Sequence, residues 1–236
     1  MQIDAHDLSA FYAAPMGQVT RRLIARRLKR LWPEAKKQRI LGYGFAPPYL
    51  TPFQAEAERV IALMPAQQGV VVWPAKRPLS VLGEENALPF PDAMFDRILI
   101  VHGLEAAEAA RPLMRQIWRV LAPSGKLIVI APNRRSLWAR VESSPFAQGR
   151  PFTRGQLSRL LSESMFVPER WDTALLFPLL PMRSLVRSGT GWERIGRALW
   201  PRLAGVHIVE AQKSLYALAT PSPVKNAKAA LANAAG

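Results

Sequence analysis

Residues 88–133 (LPFPDAMFDRILIVHGLEAAEAARPLMRQIWRVLAPSGKLIVIAPN) alternate between two hydrophobic patterns, which constrains the fold more than any other feature. Arg97 to His102 is a short run of Ile, Leu and Val, the composition of a strand buried on both faces. Leu113, Ile117, Val120 and Leu121 then recur at three- and four-residue steps, one face of an amphipathic helix. Pro123-Ser124-Gly125 follows as a helix stop, with Gly125 expected at positive φ, and Lys126 to Ala131 is a second apolar run. Strand, helix, strand at this spacing is a βαβ unit, so an α/β fold with a parallel, helix-covered sheet is expected.

The same stretch resembles the second half of a class I S-adenosylmethionine-dependent methyltransferase domain of the type 11 kind. The shared segments are Leu88–Asp96, His102–Ala106, Trp118–Gly125 and Ile128–Asn133. The resemblance implies a Rossmann-like, doubly wound, mostly parallel sheet, with S-adenosylmethionine as cofactor and a methyl acceptor it does not identify. Arg39 to Leu50 (RILGYGFAPPYL) stands where that family has its first strand and glycine-rich turn. Such a turn lets backbone N–H groups approach a ligand closely. Gly44 takes the first glycine position, Ala46 and Pro48 the second and third, and Gly42 the place of the family's acid.

Further along, residues 53–64 fit a helix with Phe53, Ala57, Val60, Ile61 and Met64 inward, and Gly69 to Trp73 (GVVVW) reads as the second strand. Trp73 would then occupy the position of the ribose-binding acid. Leu79 to Leu82 reads as the third strand, too close behind for a helical crossover, so a trimmed, antiparallel or irregular excursion is expected. Glu84 or Glu85 matches the acid that contacts the adenine amino group in the family. His102, at the carboxyl end of a central strand, is the candidate general base; a buried structural histidine is the alternative. Cofactor-binding candidates are therefore Gly42, Gly44, Ala46, Trp73, Glu84, Glu85 and His102.

Residues 1–38 read as a basic helical segment. Leu8, Phe11 and Tyr12 line a short leading helix, and 18–32 (QVTRRLIARRLKRLW) a second with six cations off its apolar stripe. The methyltransferase-like domain spans 39–219, with Thr153 capping a helix over 153–166, a helical lid insertion at 171–204 and the closing pair of strands within 206–218; 220–236 is a disordered tail. A net charge of +15 favours an acidic partner for residues 18–39: an anionic membrane surface, nucleic acid or an acidic protein. Three His and no Cys give no basis for a metal site, and a cytoplasmic protein, peripheral to the membrane if the basic helix meets anionic lipid, is the expectation. Losing hydrogen bonds at two ligand-recognising acids would weaken cofactor binding roughly thirty- to twenty-thousand-fold. A binding or scaffold protein that keeps the fold without the chemistry, working through the basic and Trp/Arg-rich surfaces, is therefore the second reading.

Overall fold

The computed structural model describes residues 4–141, 144–176 and 203–215. Helices α1 (Ala5–Ala13) and α2 (Pro15–Leu31) precede strand β1 (Arg39–Gly44) and a short helix α3 (Pro47–Leu50). There follow β2 (Arg59–Pro65), β3 (Ser80–Gly83), β4 (Phe95–Val101), helix α4 (Ala110–Val120) and β5 (Leu121–Pro132). Helix α5 (Arg154–Glu163), β6 (Phe166–Ala174) and β7 (Val206–Lys213) complete the described elements. The strands form one sheet in the order β3-β2-β1-β4-β5-β7-β6. All neighbours are parallel except β7, which runs antiparallel to both β5 and β6. The order reverses between β1 and β4, and open α/β sheets bind ligands beyond the strand ends at such a point.

Both sheet faces are covered. Leu99 and Val101 of β4 join Leu23, Ile24 and Leu28 of α2 in one apolar layer, whereas Ile98 and Ile100 pack with Leu113 and Ile117 of α4 and Leu157 of α5 in the other. The basic N-terminal segment is thus part of the core. Burying such a continuous apolar run from both sides is what a parallel sheet requires.

The 88–133 reading holds in element type, with one change at its turn. Helix α4 gives way to extended backbone at Leu121, and Gly125 is absent from the positive-φ residues. A Cβ on Gly125 would lie 2.5 Å from Leu121 Cδ1, so close packing explains this glycine.

Three other assignments are corrected. Residues 59–65 are strand β2, and 53–64 is not a helix. Val60, Ala62 and Met64 face one apolar layer and Leu63 the other, so a run of five apolar residues mimicked a helical stripe. Residues 69–73 form no strand, and Val72 is 68% exposed with no neighbouring strand to receive it. Strand β3 pairs parallel with β2 across a crossover formed by 66–79, so the antiparallel alternative is overturned. That crossover is trimmed as expected, containing only a 3-10 turn at Ala66–Gln68.

At the C-terminal end, α5 stops at Glu163 and β6 begins at Phe166, so the closing antiparallel pair is β6 with β7 and not two strands within 206–218. Thr153 caps α5 in a reciprocal capping box with Gln156. Residues 171–174 of the expected lid belong to β6, whereas 177–202 and the tail 220–236 lie outside the described residues.

Two charged side chains of β7 tie layers together. Glu210, fully buried, accepts hydrogen bonds from Trp32 Nε1 (3.2 Å) and Arg170 Nε (2.6 Å), pinning the end of α2 to the sheet. Lys213 Nζ donates to the Leu121 carbonyl at 2.6 Å and lies 3.9 Å from the Trp118 ring centroid, where α4 meets β5.

Candidate functional site

The carboxyl ends of β1 and β4 meet where the strand order reverses. Gly44 closes β1 at φ +78°, and a Cβ there would lie 2.3 Å from the Val101 carbonyl oxygen and 2.7 Å from the Gly103 nitrogen. Only glycine satisfies both the dihedral and the approach. Upstream, a Cβ on Gly42 would meet Leu50 Cδ1 at 2.5 Å and Ala46 Cβ at 2.6 Å, so α3 folds its own side chains back over Gly42. Ala46 is fully buried, and Pro47 opens α3.

His102 follows β4 directly and holds a left-handed backbone, φ +52°, which is uncommon outside glycine and concentrates at functional positions. Its ring is buried. Nε2 is 2.9 Å from the Tyr12 hydroxyl, Tyr49 donates its own hydroxyl to Tyr12 at 3.0 Å, and Nδ1 is 3.3 Å from Glu105 Oε1. Gln68 Nε2, just past β2, donates to the His102 carbonyl at 2.9 Å. Phe45 stacks on Tyr12 with ring centroids 5.8 Å apart, and Phe146 lies 4.8 Å from the His102 ring. Burial and the neighbouring Tyr49 hold the Tyr12 hydroxyl well above its ordinary titration range, so it remains a proton donor to His102.

Among the described residues, the buried polar atoms without a hydrogen-bond partner include His102 Nδ1, both oxygens of Glu105, Gln68 Oε1 and the Tyr43 hydroxyl. Gln68 joins His102 and Glu105 through the hydrogen bond of its Nε2 to the His102 carbonyl. Each buried group left unsatisfied costs about 1–3 kcal/mol, and such groups in native structures are met by protein, ordered water or a bound ligand.

The other sequence candidates sit elsewhere. Trp73 lies in the 66–79 crossover rather than at the end of β2, and its carbonyl accepts from Leu79 N and Ser80 Oγ. The end of β2 is Met64-Pro65, followed by Ala66, the exposed Gln67 and the buried Gln68, so Gln68 is the buried polar side chain that follows the end of β2 most closely. Glu84 is exposed. Glu85 is buried and accepts from Glu108 N (3.2 Å) and Ala109 N (3.1 Å), supplying the cap that Ala109 lacks at the start of α4. Sequence reading missed Tyr12, Tyr49 and Gln68 as site residues. The first could have been suspected as an aromatic on a leading helix, but nothing local distinguishes the other two.

The strand order with its reversed β7, together with the glycine turn after β1, specifies the comparison. Residues 41–129 match the methyltransferase domain family. Over that span the chain is similar to methyltransferase domains. The chain is 27% identical over 187 residues to a demethylmenaquinone methyltransferase of Thermus thermophilus, covering 78% of this chain and 76% of that protein. It is 27% identical over 128 residues to the Deinococcus radiodurans protein of the same name, covering 53% and 52%. Among solved structures, the possible histamine N-methyltransferase of Thermotoga maritima shares the fold at TM-score 0.62 and 16% identity, covering 87% of this chain and 93% of that one. The [4+2]-cyclase SpnF does so at TM-score 0.60 and 17% identity, covering 82% and 80%. The family and fold imply S-adenosylmethionine as cofactor. The residues present fit a polar ligand at the switch point, but through Gln68, His102 and Glu105 rather than through acids at Gly42 and at the end of β2.

Proposed function

We propose that this chain is an S-adenosylmethionine-dependent methyltransferase acting on a flat, apolar acceptor. The cluster of unpartnered buried polar atoms on Gln68, His102 and Glu105 carries this reading: a nucleoside with an amino acid tail presents groups able to satisfy them. Gln68 would take hydroxyls at the end of β2, and Glu105 the cationic end. The cofactor supplies a methyl carbon activated by sulfonium charge. The chain's own work is to hold donor and acceptor in near-attack geometry, exclude water and, through the Tyr12 hydroxyl hydrogen-bonded to His102 Nε2, pass to that nitrogen the proton that the acceptor loses. Glu105 beside Nδ1 would stabilise the imidazolium so formed. Phe45, Phe146 and Tyr12 offer an aromatic wall around that nitrogen. The names of the two curated relatives give a precedent for a ring-bearing, lipid-soluble acceptor. The exposed cations Arg21, Arg22, Arg26, Lys29 and Arg30 of α2 would bring the protein to an anionic membrane where such acceptors reside.

A second reading is favoured by one observation. Tyr12 already occupies the hydrogen-bonding nitrogen of His102, and Ala46 with Leu50 fills the space over Gly42. In that reading the fold is kept as a binding protein, without methyl transfer. Calorimetric titration with S-adenosylhomocysteine decides between them. The enzyme reading expects saturable binding, weakened about tenfold or more by Gln68→Ala, consistent with losing hydrogen bonds to a buried ligand. No saturable heat with about millimolar ligand would leave the binding-protein reading alone standing.

A further inference from the structure

A groove between α4 and α5 lies outside the crevice already described. It encloses about 670 Å³, within the range of small-molecule sites, and five arginines line it. Arg111 and Arg115 stand about one turn apart on α4 and so share a face. Arg159 comes from α5, Arg134 from the segment after β5, and Arg150 from the loop ahead of α5. Backbone hydrogen bonds fix the last two positions. The Arg134 N–H donates to the Phe152 carbonyl at 3.1 Å, and the Arg150 N–H to the Glu105 carbonyl at 2.8 Å. None of Gln68, His102 and Glu105 lines the groove, which therefore borders the β1–β4 crevice without sharing its polar groups.

The charges around this groove are unbalanced. Two acids, Glu108 and Glu163, face the five guanidiniums. Glu163 is engaged by Arg111 at 2.7 Å, and Arg150 reaches the Glu108 carbonyl, not its carboxylate, at 3.4 Å. Among the described residues, the side chains of Arg115, Arg134 and Arg159 have no hydrogen-bond or ion-pair partner, and all three are exposed. Like charges gathered round one concavity raise the local concentration of anions. Every cation of the described lining is arginine, whose planar fork takes phosphate oxygens in pairs.

Position and shape narrow the ligand further. Helices α4 and α5 pack on the face of the sheet opposite α2, so a flat membrane held by the α2 cations would not meet this groove as well. Guanidiniums arriving from four separate segments suit an anion with more than one phosphate. We propose that the groove binds a small ligand carrying two or more linked phosphates, gripped by Arg115, Arg134 and Arg159. The site does not depend on whether cofactor occupies the β1–β4 crevice.

Calorimetric titration of the full chain with inorganic diphosphate and inorganic phosphate, at about 0.15 M salt, tests it. Diphosphate should saturate and bind at least about tenfold more tightly than phosphate. Arg115→Gln and Arg159→Gln remove exposed, unpartnered charges, so the fold is kept while each weakens diphosphate roughly tenfold. Replacing Arg22, Arg26 and Lys29 of α2 by Gln should leave that affinity unchanged. No saturation with about millimolar diphosphate, or a loss in the α2 variant as large as in the groove variants, overturns the site. Equal affinity for phosphate overturns the linked phosphates. An oligouridylate that binds more tightly than diphosphate, and more so as it lengthens, would make the groove a nucleic-acid surface and overturn the small ligand.

Discussion

His207 shows how one side chain's setting becomes a measurable property. Burial, helped by the Arg154 charge, lowers its pKa to about 4, so the folded protein keeps it neutral where an unfolded chain would protonate it near pH 6.5. Its contribution is therefore complete above about pH 6.5 and is lost as pH falls towards 4, amounting to roughly 3 kcal/mol. Urea unfolding at pH 7.5 and 4.5 should show that loss in wild type and a smaller one in His207→Gln. A second residue-level expectation concerns Gly44→Ala, where a methyl group would meet three backbone atoms at positive φ. A loss of roughly 3 kcal/mol or more is expected from the unfolding midpoint. Gly44 and His102 were legible in the sequence because turn geometry and strand-end position are local properties. Tyr12 was not, since its hydrogen bond to His102 joins residues ninety positions apart. Trp73 misled because its place was inferred from a strand that sits elsewhere.

At the scale of elements, the sequence revealed most where composition and length agreed. Strand β4, helix α4 and the apolar part of β5 were each readable from their own periodicity. Strand β2 was not, because VIALM suits a helical stripe and a buried strand equally, and only pairing with β1 through Ile40↔Val60 and its neighbours decides. Strand β6 was obscured by charge and by Pro168, which sit comfortably on a sheet edge but spoil the alternation. The join between α2 and the sheet gives an element-level prediction. Glu210→Ala would leave the Trp32 N–H without its acceptor and remove one partner of the half-exposed Arg170, costing about 1–3 kcal/mol. Glu210→Gln should cost less, as it keeps an acceptor for Trp32. Equal unfolding midpoints for the two variants would refute the role given to the carboxylate. Helix α1 makes a different prediction. Tyr12→Ala removes the group seated on His102, so S-adenosylhomocysteine should bind severalfold more tightly if the crevice is a cofactor site.

For the molecule as a whole, charge and topology set behaviour. None of the described helices is long and apolar enough to cross a membrane. The outward cations of α2 predict co-sedimentation with anionic vesicles at low salt, released as ionic strength rises and reduced when Arg22, Arg26 and Lys29 are replaced by Gln. Neutral vesicles should retain nothing. The insertion of β7 between β5 and β6 bears on how the polypeptide is made. Until the ribosome has delivered residues 206–213, β6 has no partner in the sheet and β5 keeps one edge bare, because β7 follows both in the chain and slots in between them. A chain ending at 205 would thus emerge with the facing edges of β5 and β6 unpaired and should be cleared by proteases or aggregate.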